Sequence, residues 1–164
     1  LFFHILPQVG VVLLITILYK VLVGGAHART NTECFIFTSL YFFIPVIIGK
    51  FVNVPVIYLY IVSALIFIYS LYVIYKHVPA DTEEIPILNK GKRKKYKIYA
   101  IVSIVFIYIS TLVLTRFNEQ YARIVISTVF LIDFFTSNFM YKILRCKHSY
   151  ESDEFKEYYN ENKE

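Results

Sequence analysis

Cysteine is scarce in this chain: Cys34 and Cys146 are the two in 164 residues, and they lie far apart. That spacing excludes the dense disulfide framework of a small secreted domain, so each is read as a free thiol. Metal-ligand clusters are lacking too. The most polar internal stretch offers one His and one Cys, too few donors to hold an ion, so neither a metal nor another cofactor is expected. No secretory leader opens the sequence, because Leu1-Phe2-Phe3 carries no positive charge and no small-residue cleavage site follows the first apolar run. The first residue is not Met, which points to sequence upstream of Leu1. Internal repeats are absent as well. The formal charge of +5 raises nucleic acid as a partner, but the basic residues cluster beside apolar runs and not on a polar domain with aromatic stacking positions, so no nucleic acid is expected.

What the chain has in abundance is apolar material. Hydrophobic residues make up 57% of it, more than a soluble domain of this size can bury, so lipid must be part of its solvent. Five apolar runs stand out: Leu1 to Val23, Phe35 to Ile48, Val56 to Tyr75, Ile98 to Thr115 and Ala122 to Leu144. A hydrocarbon core of about 30 Å needs roughly 20 helical residues, so only Phe35 to Ile48 is short, and it must borrow from its flanks or enter at a polar cleft. The many β-branched and aromatic residues do not argue for strands, since a lone strand in lipid leaves its backbone groups unpaired. The expected fold class is therefore all-α, a polytopic transmembrane helical bundle with about five spans, or six if an N-terminal part is missing.

If the spans alternate, Lys20, Arg29, the basic residues from Lys76 to Lys97, and Lys142, Arg145 and Lys147 share one side. Lys50, Arg116 and Arg123 lie on the other. Twelve against three assigns the first side to the cytoplasm. Residues 1–150 then form a single membrane domain with cytoplasmic loops at 24–34 and 76–97. Residues 151–164 form an acidic cytoplasmic tail, expected to be solvated or frayed.

Within Gly24-Gly25-Ala26-His27-Ala28-Arg29-Thr30-Asn31-Thr32-Glu33-Cys34 a base and a soft nucleophile stand seven residues apart at a membrane boundary. A continuous helix would separate them by about 10.5 Å along its axis, whereas proton transfer needs roughly 3 Å. The helix must therefore break between them. Thr30-x-x-Glu33 is a capping-box pattern that starts a helix near Asn31 and leaves His27 in the preceding loop. Cys34 then falls in the first turn, where the positive end of the helix favours negative charge on sulfur and free backbone N–H groups suit a developing oxyanion. Gly24 and Gly25 allow the sharp turn that folds His27 back over Cys34. The pattern fits a Cys/His nucleophilic pair. By itself it more readily admits an unrelated His and a Cys that is a small buried hydrophobe.

Gly25-Ala26-His27-Ala28 followed by Cys34 at the edge of an apolar span resembles the active-site motif of AgrB (accessory gene regulator protein B), the membrane cysteine endopeptidase family of bacterial peptide quorum sensing. His77-Val78-Pro79-Ala80-Asp81-Thr82-Glu83-Glu84-Ile85-Pro86-Ile87, with Lys92-Arg93-Lys94-Lys95 after it, resembles the family's aromatic-Ala-Pro-Ala-x-Thr loop, Pro-Ile pair and basic run. The resemblance covers about Val23 to Lys97. It implies a multi-pass enzyme of the bacterial cell membrane that cuts an AgrD-type precursor peptide, with His27 and Cys34 as the catalytic pair and a thioester acyl-enzyme. Attack by a Cys of the precursor would exchange that thioester for a cyclic thiolactone, an outcome favoured if water is excluded.

Other polar residues carry weaker expectations. Asp133, in the last apolar run, is followed three positions later by Thr136, as in the family, and is a candidate to orient His27. A hydrogen bond to Ser137, Asn138 or a neighbouring span has equal weight, because Asp133 lies roughly 16 Å in from Leu144. Lys92, Arg93, Lys94 and Lys95 are candidates to bind an acidic part of the precursor, to bind anionic headgroups of the bilayer, or both. Arg29 is a candidate for a substrate carboxylate or a boundary anchor. Thr38, one turn past Cys34, is a candidate substrate contact or a donor to its own helix. A homodimer that encloses the site is one possible assembly. Two other classes stay open from the residues alone: a small transporter or exporter subunit with Asp133 lining a pathway, and a non-enzymatic membrane partner protein.

Overall fold

The fold is taken from a computed structural model that describes residues 5–26, 30–82, 86–149 and 153–161, with the side chains of 154 and 159–161 set aside. Among the described residues there is no strand, and the long apolar runs become helices. We label them α1 (Leu6–Val23), α2 (Asn31–Phe51), α3 (Val56–His77), α4 (Lys90–Phe117), α5 (Glu119–Thr136), α6 (Asn138–Ile143) and α7 (Asp153–Glu161). The architecture is an all-α bundle, and α1 to α4 are each long and apolar enough to cross a membrane. Their outward faces carry large exposed apolar side chains such as Phe43, Ile57, Leu65 and Phe106, as lipid contact requires.

The short run Phe35 to Ile48 takes residues from both flanks to make the 21-residue α2. The run Ala122 to Leu144 behaves differently. It breaks after Thr136 and resumes as α6, with Ser137 in extended conformation between the two. Helix α5 contains Glu119, Arg123 and Asp133, too polar for contact with lipid, and it is the axial helix, packed against α1, α2, α3 and α4. Ile124, Val125, Val129 and Ile132 bury its apolar surface. Gly49 of α2 lets the two helices approach closely, since a Cβ there would overlap the Ile124 side chain. Beside it, Arg123 donates from Nε and Nη2 to the Gly49 carbonyl at 3.3 and 3.2 Å.

Helix α1 contains a π-helical turn at Thr16–Lys20. Turns of this kind widen a helix and re-aim the side chains that follow. Here Tyr19 is fully buried against the axial helix and Lys20 sits at the edge of a cavity. The basic run also differs from a plain loop: Lys90 to Lys97 forms the first turns of α4, capped by the Asn89 side chain, which accepts from the Lys92 amide at 2.9 Å.

Candidate active site

The end of α1, the start of α2, the α3–α4 connection and the end of α5 meet at one end of the bundle. Gly24 and Gly25 have φ of +80° and +141°, a conformation that favours glycine. Their backbone leaves α1 and pairs with the α3–α4 connection: Gly25 donates to the Ala80 carbonyl and Ala80 to the Val23 carbonyl, both at 2.9 Å. A Cβ on Gly24 would overlap the Ala80 carbonyl, so the approach requires glycine. The Ala26 amide donates to the carbonyl of Phe135 in α5 at 3.0 Å. The loop is thus fastened to two distant segments before it reaches position 27. His27 and Arg29 lie outside the described residues.

The chain becomes helical again at the predicted place. Thr30 caps α2 reciprocally: its Oγ1 accepts from the Glu33 amide at 3.2 Å, and the Glu33 carboxylate accepts from the Thr30 amide at 3.3 Å. Cys34 falls in the first turn as an exposed free thiol. Its amide donates to the Thr30 carbonyl at 2.9 Å. The amides of Glu33 and Cys34 are therefore both committed to Thr30.

Cys34 opens onto a cavity of about 460 Å³ that Thr38 also lines, along with Gly24, Gly25 and Ala26. The walls are aromatic. Phe37 and Tyr41 project from α2, and Phe135, from α5, meets them edge-on with ring centroids 5.9 and 6.4 Å away. Among the described residues that line this cavity, Lys20 is the cation. Its Nζ lies 4.6 Å from the Tyr41 ring centroid and 5.6 Å from that of Phe135, and it lines the same cavity as Cys34. Tyr41 is itself held by a 2.7 Å hydrogen bond between its hydroxyl and that of Thr16. In the sequence Lys20 counted only as a topology signal. The one sign of more was its place as the single charge inside the first apolar run.

Asp133 is fully buried and does not line this cavity. Its two carboxylate oxygens accept from the Tyr19 hydroxyl at 2.8 Å and from the Ser70 hydroxyl, tying α5 to α1 and α3. Of its two expected roles, the hydrogen bond to neighbouring spans is the one made among the described residues. Thr136 donates to the Ile132 carbonyl of its own helix at 2.9 Å.

The four basic candidates separate by face. Lys92, Lys94 and Lys95 are exposed, whereas Arg93 points inward. Its guanidinium makes a 2.7 Å ion pair with Asp81 and donates to the carbonyls of Ile87 and Pro79 at 3.3 and 3.4 Å. Asp81 also accepts from the Ile87 amide at 2.8 Å. Arg93 therefore clamps the connection that carries Ala80 and, through it, the Gly24–Gly25 turn. A second cavity of about 250 Å³, lined by Pro79, Ala80, Asp81 and Tyr96, shares Val21 and Gly24 with the first.

No curated protein and no solved structure matches the chain. The family model described as AgrB, Accessory gene regulator B, matches residues 1–137, a stretch that holds α1 to α5 and every cavity-lining residue named above. The chain belongs to the AgrB family, and its place is in the accessory gene regulator system of quorum sensing.

Proposed function

We propose that the chain is a cysteine endopeptidase that cuts an AgrD-type precursor peptide and releases a cyclic thiolactone. The observation that carries this reading is an exposed thiol in the first turn of α2 that shares an aromatic-walled cavity with a lysine in a membrane bundle. A thiol of purely structural use would be buried in apolar packing, as free cysteines usually are.

In the first step His27 takes the Cys34 proton and the sulfur attacks the carbonyl carbon of the scissile bond. The negative charge moves to the carbonyl oxygen. With the Glu33 and Cys34 amides committed to Thr30, the Lys20 ammonium is the group we assign to stabilise that charge. The C–N bond then breaks, His27 gives its proton to the departing amine, and a Cys34 thioester remains. A thiol within the bound precursor attacks the thioester and loses its proton to His27. The ring closes as a thiolactone and Cys34 leaves as thiolate, to be reprotonated. Phe37, Tyr41 and Phe135 limit the water that would hydrolyse the thioester instead.

Asp133 supports this site through Tyr19, the neighbour of Lys20. Lys92, Lys94 and Lys95 are the residues we assign to the acidic part of the precursor. The excess of cations at this end of the bundle supports a cytoplasmic orientation for it. The decisive test is Cys34→Ser with a co-expressed precursor. Loss of cleavage with the protein still inserted is expected, and retained cleavage would sink the enzyme reading in favour of a transporter or partner protein.

A further inference from the structure

Residues beyond Ser137 lie outside the family match, yet they are built into the same end of the bundle. Tyr141 and Ser149 both donate to the Asp81 carbonyl, at 3.2 and 3.4 Å, and His148 stacks on Tyr141 with ring centroids 3.7 Å apart. Past this anchorage comes α7, in the acidic segment that the sequence reads as solvated or frayed. Its Phe155 is only 9% exposed and lies 5.4 Å from the Arg93 guanidinium. Arg93 is thereby held between the Asp81 carboxylate and an aromatic ring.

The charges of the two partners are opposite. Lys90 to Lys97 holds six basic residues and no acidic one, whereas residues 151–164 hold six acidic residues and two basic ones. A guanidinium attracts an aromatic face, and opposite charges steer an acidic segment to a cationic surface. We propose that the acidic C-terminal helix α7 is an internal occupant of the cationic face at the start of α4, and that it competes there with the acidic segment of the precursor. The inference rests on the reading that this face receives an acidic peptide. It adds that the face takes an aromatic anchor at Arg93 followed by carboxylates towards Lys92, Lys94 and Lys95. Access of the precursor then depends on release of the chain's own tail.

The test uses the whole protein in neutral phosphatidylcholine nanodiscs, with a fluorescein-labelled hexaglutamate peptide as probe and anisotropy as readout. If α7 is docked about nine-tenths of the time, freeing the face raises the apparent affinity about tenfold. That gain is expected both for a chain ending at Tyr150 and for Phe155→Ala, which leaves every charge in place. It should disappear when Lys92, Lys94 and Lys95 are changed to Gln in either background. A gain in the shortened chain alone reports only the removal of negative charge and overturns docking. Equal affinity in all three chains, still dependent on the lysines, overturns the competing tail and leaves the cationic face standing. Absence of binding by every chain overturns both.

Discussion

At the scale of single residues, Lys20 has an unusual setting for a lysine near a helix end. Such side chains ordinarily extend to the headgroups, but this one lies over two aromatic faces in the cavity that holds Cys34. A charge so placed is more effective than in water, because the apolar walls screen it poorly. Lys20→Met should slow alkylation of Cys34 by iodoacetamide at neutral pH by roughly tenfold, equivalent to about 1.4 kcal/mol, and should lower precursor turnover with it. Lys20→Arg should restore most of both. An unchanged alkylation rate in Lys20→Met would remove the lysine from the site. Thr38 and Tyr41 lie on the same wall, which makes them the next positions at which side-chain size should alter turnover.

At the scale of elements, the start of α2 fixes the position of the thiol. Thr30→Ala removes one half of the capping box and should cost about 1 kcal/mol. Because the loss is local, the expected signature is faster amide exchange at Glu33 and Cys34 with little change in the rest of α2. The Asp133 knot joins three helices, so its loss is felt more widely. Asp133→Ala leaves the buried Tyr19 hydroxyl without its acceptor, at roughly 1–3 kcal/mol, whereas Ser70 can still donate to the Ile66 carbonyl at 2.9 Å. Thermal unfolding in detergent should show that loss, whereas Asp133→Asn, which keeps an acceptor, should lose less.

These elements also show what the sequence could disclose. The cap was legible because Thr30 and Glu33 lie within one turn and their chemistry is local. The extent of α2 followed from the length a bilayer demands. Arg93 was not separable from Lys92, Lys94 and Lys95, because its inward direction depends on Asp81 and on the path of the α3–α4 connection. Lys20 was hidden for the same reason: its cavity is assembled from α1, α2 and α5, and no window of sequence contains all three. The break of the last run after Thr136 was masked by the apolar residues that continue beyond it, and the docked Phe155 by the acidic residues around it.

At the scale of the whole molecule, the two ends of the bundle differ in charge. One end carries the α4 basic run and the candidate site; the other carries Lys50, Arg116 and Arg123, the last of these engaged with Gly49. If the richer end is cytoplasmic, a membrane-impermeant maleimide applied to intact cells should label Lys50→Cys and leave Lys94→Cys untouched until the cells are opened. Labelling in the reverse order would invert the proposed orientation and with it the side on which the precursor is met.

The hydrogen bond from Ala26 to Phe135 sets a condition on when the thiol becomes useful. A ribosome that has delivered α1 and α2 has already produced Cys34, but the carbonyl that fastens the neighbouring loop, and the ring that closes the cavity wall, belong to a helix not yet made. The nascent chain thus carries its thiol into the membrane in an unfinished setting. The cavity wall is finished only when the axial helix slides in among the others, so that during synthesis the thiol is exposed before it is enclosed.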